Sequence, residues 1–207
     1  MAGKQPNRRL LLVEGIDDKY VVKGLCERHN FEAEFDILDS GGFPELKKAI
    51  SLQAKVSGQI ALGILVDAND NPCGRWDGVR HRLREAGYSP PRQMDSNGTI
   101  INGVGRRPRV GIWLMPDNGT KGELEDFIQE LIPGGDPVWP LAEAYIDKIP
   151  APARKFALRK IQRARIHAWL AAREEPRKMG LAIQAGDLDA DAQPAIRFMD
   201  WLRRLFG

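Results

Sequence analysis

Three short apolar runs in this chain each end in an acid. Arg8-Arg9-Leu10-Leu11-Leu12-Val13 runs into Glu14, with Gly15 and then Asp17 and Asp18 behind it. Gly63-Ile64-Leu65-Val66 runs into Asp67, followed by Asn69 and Asp70. Val110 to Met115 runs through Pro116 into Asp117, and Glu123 and Glu125 come shortly after. Carboxylates brought to one place repel one another unless a cation holds them together. Oxygen donors of this kind suit Mg2+ or Mn2+. One or two such ions can clamp a phosphodiester, activate a water and stabilise the leaving oxygen. The candidate ligands on this reading are Glu14, Asp67, Asn69 or Asp70, Asp117, and Glu123 or Glu125. Several have structural alternatives. Asp17 and Asp18 are good helix N-cap residues, Asp117 suits an Asx turn in Pro116-Asp117-Asn118-Gly119, and Glu123 and Glu125 suit a helix N-terminus.

The elements that would position these acids follow from the pattern around them. Apolar runs of this length, bounded by turn residues, suit strands buried on both faces of a parallel sheet. Ligands in open α/β sheets sit beyond the carboxyl ends of such strands. Arg8–Glu14 reads as a first strand, followed by a helix capped by Asp17 or Asp18 and running to about His29. Phe31–Leu38 alternates loosely and reads as a second strand. Pro44 opens a helix to about Val56, and Gln59–Asp67 is the most hydrophobic strand. A helix then covers about Arg75 to Ala86 and ends at Gly87. The Pro- and Gly-punctuated stretch from Tyr88 to Arg109 reads as an edge hairpin or excursion leading into the strand at Val110–Met115. A short helix, Lys121–Leu131, follows. The expected fold is thus α/β, a Rossmann-like, mostly parallel sheet flanked by helices over residues 1–135.

From Pro137 onward no strand signal remains. Helices are expected at Leu141–Ile149, from near Ala153 to about Ala172, and at Pro194–Phe206. Residues 136–207 therefore read as an all-helical C-terminal subdomain. Composition sets the outer bounds. The 207 residues are 43% hydrophobic, enough for a core, and Lys+Arg 31 against Asp+Glu 28 leaves a formal net charge of +3. Such a weak basic balance does not by itself indicate nucleic acid. Cys26 and Cys73 have neither a CxxC neighbour nor a Cys/His partner, which suits free thiols in a reducing compartment. No apolar stretch approaches the ~20 residues that span a membrane, and the first nine residues lack a secretory core. A cytoplasmic protein with no membrane partner is expected.

Two stretches carry a resemblance. Val13-Glu14-Gly15-Ile16-Asp17-Asp18 resembles the glutamate motif of the TOPRIM fold, and Ile64-Leu65-Val66-Asp67-Ala68-Asn69-Asp70 resembles its DxD strand end. One strand–helix–strand unit separates them, as in that fold. Trp113 to Gly119, then Gly122-Glu123-Leu124-Glu125-Asp126-Phe127, and the tail segments Arg165 to Ala171 and Met199 to Leu202 resemble a group of small stand-alone TOPRIM proteins of unknown function. That group is related to the OLD-type nucleases. The resemblance implies that Glu14 is a metal ligand or general acid/base and that Asp67 is the first aspartate of the DxD pair. Asp18 would be a helix-start ligand, and Glu125 or Glu123 a further one. It also implies a downstream active-site cation, for which Lys160 or Arg163 could stand. The second DxD position is the neutral Asn69, so ligation could shift to Asp70.

Basic residues form a second constellation. Arg154, Lys155, Arg159, Lys160, Arg163 and Arg165 are expected on one helix with no acid among them. Arg75 and Arg80 lie on the helix after the DxD-like strand. Cations facing a backbone are what phosphate contact requires, although a charge run can equally be a solvated face. The resulting expectation is a Mg2+- or Mn2+-dependent phosphoryl-transfer protein, a nuclease hydrolysing DNA phosphodiesters, with Glu14 and Asp67 at its centre. The alternative is a non-catalytic metal- or nucleotide-binding module that uses the same acidic pocket or engages a protein partner. A homodimer is compatible with either.

Overall fold

The computed structural model describes residues 8–207; residues 1–7, most of the nine read above as lacking a secretory core, lie outside the described residues. Five strands form one sheet in the order β2-β1-β3-β5-β4. These are β1 (Arg9–Val13), β2 (Asp36–Asp39), β3 (Ala61–Asp67), β4 (Thr99–Ile101) and β5 (Arg109–Met115). All neighbours are parallel except β4, which runs antiparallel to β5 at one edge. The mostly parallel α/β sheet expected from the sequence is the one that forms.

Its continuous apolar runs are explained by burial on both faces. Leu11, Val13, Ala61, Leu65, Trp113 and Met115 face one way. Leu12, Leu62, Ile64, Val66, Val110, Ile112 and Leu114 face the other, under α2 (Phe43–Gln53) and α3 (Pro72–Glu85). The first face is covered by α1 (Ile16–Arg28) and α8 (Gln193–Phe206). Around them pack α4 (Leu124–Gln129), α5 (Trp139–Asp147), α6 (Ile161–Ala171) and α7 (Met179–Ala185). One apolar core therefore runs from the sheet into the helical segment.

Close approach depends on missing side chains. A Cβ on Gly111 would meet Leu205 Cδ2 at 2.5 Å, so α8 lies directly on the sheet. A Cβ on Gly24 would meet the Gly180 carbonyl oxygen at 2.5 Å, which lets α7 pack against α1. Phe198, Met199, Trp201, Leu202, Leu205 and Phe206 of α8 are fully buried. At roughly 1.5–3 kcal/mol per large apolar side chain, that burial is comparable with the whole margin of a typical domain. The sheet is not expected to stand without α8.

Three elements depart from the sequence reading. The second strand pairs only over Asp36–Asp39, because the register with β1 begins at Leu10. Phe31, Ala33 and Phe35 still alternate inward against the core, and this is the periodicity that the sequence displayed. The single helix expected from near Ala153 to Ala172 is broken. Two 3-10 turns, Ala151–Ala153 and Leu158–Lys160, precede α6, and Arg154 and Ala157 between them are extended. The helix α7 was not anticipated; its seven residues carry too short a pattern to register.

Candidate functional site

Glu14 directly follows β1 and Asp67 closes β3, and the two meet at the carboxyl edge of the sheet. The Asp67 backbone N–H donates to Glu14 Oε1 at 3.0 Å. Asp67 Oδ1 in turn accepts from the Leu124 N–H at 3.0 Å, which ties the start of α4 to the same edge. Asp18 arrives from the first turn of α1, where it accepts the Gly15 N–H at 2.9 Å. Gly15, not Asp17 or Asp18, is the N-cap, two or three residues earlier than expected, and Asp18 reaches back to it. Glu123 is the N-cap of α4 and Glu125 lies in its first turn. Asp18 and Glu125 are only 6% and 5% exposed, so neither can shed its charge into bulk water.

The electrostatics follow from this crowding. Burial, then the neighbouring charges of Asp18, Glu14, Glu123 and Glu125, push the Asp67 carboxyl up to about 9. Burial and the nearby Glu14 and Glu125 push Asp18 up to about 7, against the Gly15 hydrogen bond. Glu14 is also raised, chiefly by burial, despite Arg75 and the Asp67 N–H. Glu125 is raised by burial against the pull of Arg163. Fully ionised, this group is unfavourable without added positive charge.

The chain supplies part of that charge itself. Lys160 donates to Glu123 Oε2. Arg163 lies 3.4 Å from Glu125 Oε1 and 3.1 Å from Asp17 Oδ2. Arg75 lies 3.4 Å from Glu14 Oε1. Asn69, Asp70, Arg159, Lys160, Arg163 and the α4 acids line a cavity of about 270 Å³ at this edge. Among the described residues, no three His, Cys, Asp or Glu side chains are already gathered as a chelating set. Lys160 pairs with Glu123, Arg75 with Glu14, and Arg163 with both Asp17 and Glu125. The donor set is nevertheless of the hard-oxygen kind that suits Mg2+ or Mn2+.

Not every candidate reaches this edge. Asp117 closes its own turn, accepting from the N–H groups of Gly119 at 2.9 Å and Thr120 at 2.8 Å. It borders a different cavity, with Pro116, Lys121 and Arg197, so the expectation that it joins the other acids is corrected. The basic cluster disperses because its helix is broken. Arg165 is held by Asp147 on α5, and Arg154 donates to the Ile149 carbonyl. Lys155 is exposed between the 3-10 turns. Arg80 is buried on α3 and pairs with Asp77. Of the eight cations expected to face a phosphate backbone, Arg75, Arg159, Lys160 and Arg163 reach the mouth.

Two participants, Phe43 and the Gly122 bridge, carry no signal in the sequence, whereas Asp126 is visible as one of the acids that favour the α4 N-terminus. Asp126 accepts the Glu123 N–H at 2.7 Å and completes a capping box, a signal visible in the acids that open α4. Phe43 stacks under Arg75, with the guanidinium carbon 4.1 Å from the ring centroid. Gly122 pairs with Asn69 in an isolated bridge. Nothing local in the sequence announces either of the last two contacts.

The fold and its edge define an α/β protein whose parallel strands deliver buried carboxylates to one mouth rimmed by arginine and lysine. The chain belongs to the family described as "Protein of unknown function (DUF3226)", whose model matches residues 8–207. No curated protein and no solved structure matches the chain. No helix among the described residues is long and apolar enough to cross a membrane.

Proposed function

We propose that this protein is a Mg2+- or Mn2+-dependent phosphoryl-transfer enzyme of the TOPRIM type, a nuclease acting on DNA phosphodiesters in the cytoplasm. The observation that carries the reading is the convergence of Glu14, Asp18, Asp67, Glu123 and Glu125 at one sheet edge, where each raised carboxyl is raised partly by another. Structural carboxylates are ordinarily matched by donors; here burial and like charge outweigh the donors present. Glu14, Asp67 and Glu125 would hold the ion, with Asp18 beside them, and a bound ion would supply a Lewis acid and an acidified water. Lys160 and Arg163 would exchange their carboxylate partners for the non-bridging oxygens of the substrate, and so neutralise the charge that builds on phosphorus. Arg159, exposed at the cavity rim, would contact the flanking backbone. Among the described residues both cysteines are free, in keeping with a reducing compartment.

A specific observation favours the non-catalytic alternative. Lys160, Arg163 and Arg75 already occupy the mouth, so the same pocket could serve a binding or regulatory module. A plasmid-nicking assay in Mn2+ separates the two. Cleavage by wild type that Glu14→Ala abolishes supports the enzyme. Thermal stabilisation by Mn2+ with no cleavage supports the module, and neither response removes the metal reading.

A further inference from the structure

Asn69 stands where a second strand-end acid would complete the ligand set, yet its surroundings are those of a connector. Its backbone is left-handed, with φ 51°, a conformation that asparagine tolerates better than most residues. It exchanges two backbone hydrogen bonds with Gly122, at 2.6 Å and 3.0 Å. The side-chain amide satisfies both neighbours in one orientation only. Its oxygen then accepts from Arg75 Nη2 at 2.8 Å and its nitrogen donates to Glu123 Oε1 at 3.2 Å. Arg75 is fixed from two further sides, by the Phe43 ring beneath it and by Glu14.

We propose that Asn69 is a positioning residue that links Arg75 to Glu123, holding the β1 and α4 carboxylates in register, and that its neutrality is required. An ionised carboxylate at this position has no proton to give Glu123. It would face Oε1 of that residue as a like charge, and it would compete with Glu14 for Arg75. A primary amide presents an acceptor to a guanidinium and a donor to a carboxylate at once, and carries no charge. The inference rests on the proposed metal chemistry only where an ion is added. The contacts themselves are between protein atoms alone.

The test has a metal-free arm and a metal arm. In the first, amide hydrogen exchange is followed by NMR at Gly122 and Leu124. Asn69→Asp should speed exchange at both amides at least tenfold. Asn69→Gly, which keeps the backbone conformation and loses both side-chain bonds, should do the same and serves if the first variant does not fold. Arg75→Met should speed the same amides threefold or more, although the bonds of Arg75 run to Glu14 and Asn69. Combining Arg75→Met with Asn69→Gly should add little to Asn69→Gly alone. Unchanged exchange in Arg75→Met, or full additivity, would overturn the linkage. In the second arm, Mn2+ affinity is measured by calorimetry. Positioning predicts at least tenfold weaker binding in Asn69→Asp. Tighter binding would assign the position to the ligand set and overturn the proposal. Should the wild type bind no Mn2+, the proposed function fails, while the exchange measurements still decide the role of Asn69.

Discussion

Two acidic sites in this protein differ in what surrounds them. Asp136, ahead of α5, accepts from the Val138 and Trp139 N–H groups at 2.8 Å and 3.0 Å, from Trp169 Nε1 at 3.1 Å and from Arg173 at 3.2 Å. Burial alone would raise its carboxyl, but these donors outweigh it and hold Asp136 below the ordinary range. Asp67 also loses water. It receives one backbone N–H on Oδ1 and faces four other acids, and its carboxyl rises to about 9. The first site is a finished structural joint between α5 and α6. The second is short of positive charge, as a site for a cation would be. Asp67 is also the more deeply enclosed of the two, and burial acts together with the ratio of donors to acids to set them apart.

The comparison can be broken most forcefully at Asp136. Asp136→Ala leaves a half-buried arginine, an indole N–H and two helix N-terminal N–H groups without their acceptor. A loss of about 3–5 kcal/mol is expected, read by urea denaturation. A loss below about 1 kcal/mol would mean that the joint is not structural. Asp67→Asn should act in the opposite direction. At pH 8 a carboxyl raised to about 9 must take up a proton for the chain to fold, whereas the amide needs none and its oxygen can keep the Leu124 bond, so the metal-free protein should gain about 1–2 kcal/mol and lose any stabilisation by Mn2+.

The pH dependence sharpens the same contrast. The folded-state carboxyls of Asp67, Asp18, Glu14 and Glu125 are all raised, so the native state binds more protons than the unfolded chain. Their contribution is complete below the unfolded carboxylate range and is lost as pH rises through about 7 to about 9. Metal-free melting temperature should therefore fall between pH 5 and pH 9, with a shallower fall in Asp67→Asn. A rise over that interval would show that the mouth is not short of positive charge. The smallest expected effect is at the exposed pair on α3. Arg82→Ala should cost well under ~1 kcal/mol in the same denaturation assay, since its partner Glu85 is solvated.

The legibility of this molecule tracks the range of the interactions concerned. The strands β1, β3 and β5 could be read directly, because burial on both faces imposes an unbroken apolar run and the turn after it is abrupt. Glu14, Asp67, Asp18 and Glu125 were legible for the same reason, as acids placed immediately after such runs or at the helix start that follows. Asp117 looked equivalent by that criterion and is not. Its turn closes on its own carboxylate, a choice between local and distant donors that spacing does not reveal. The basic helix also failed as a unit. The amino-acid types favoured a continuous helix, but the chain breaks into 3-10 turns that send Lys160 toward Glu123, while α6 turns Arg165 to Asp147.

What the amino-acid order alone determined is the alternation of buried strands with helices and the delivery of acids to one end of the sheet. Both follow from local periodicity and from the fixed direction of parallel strands. Only the tertiary structure decided which acids meet, which cations answer them, and that the Asn69 backbone pairs with Gly122 at the entry to α4. Those outcomes depend on contacts between segments up to 146 residues apart, as between Asp17 and Arg163, and no local pattern encodes them.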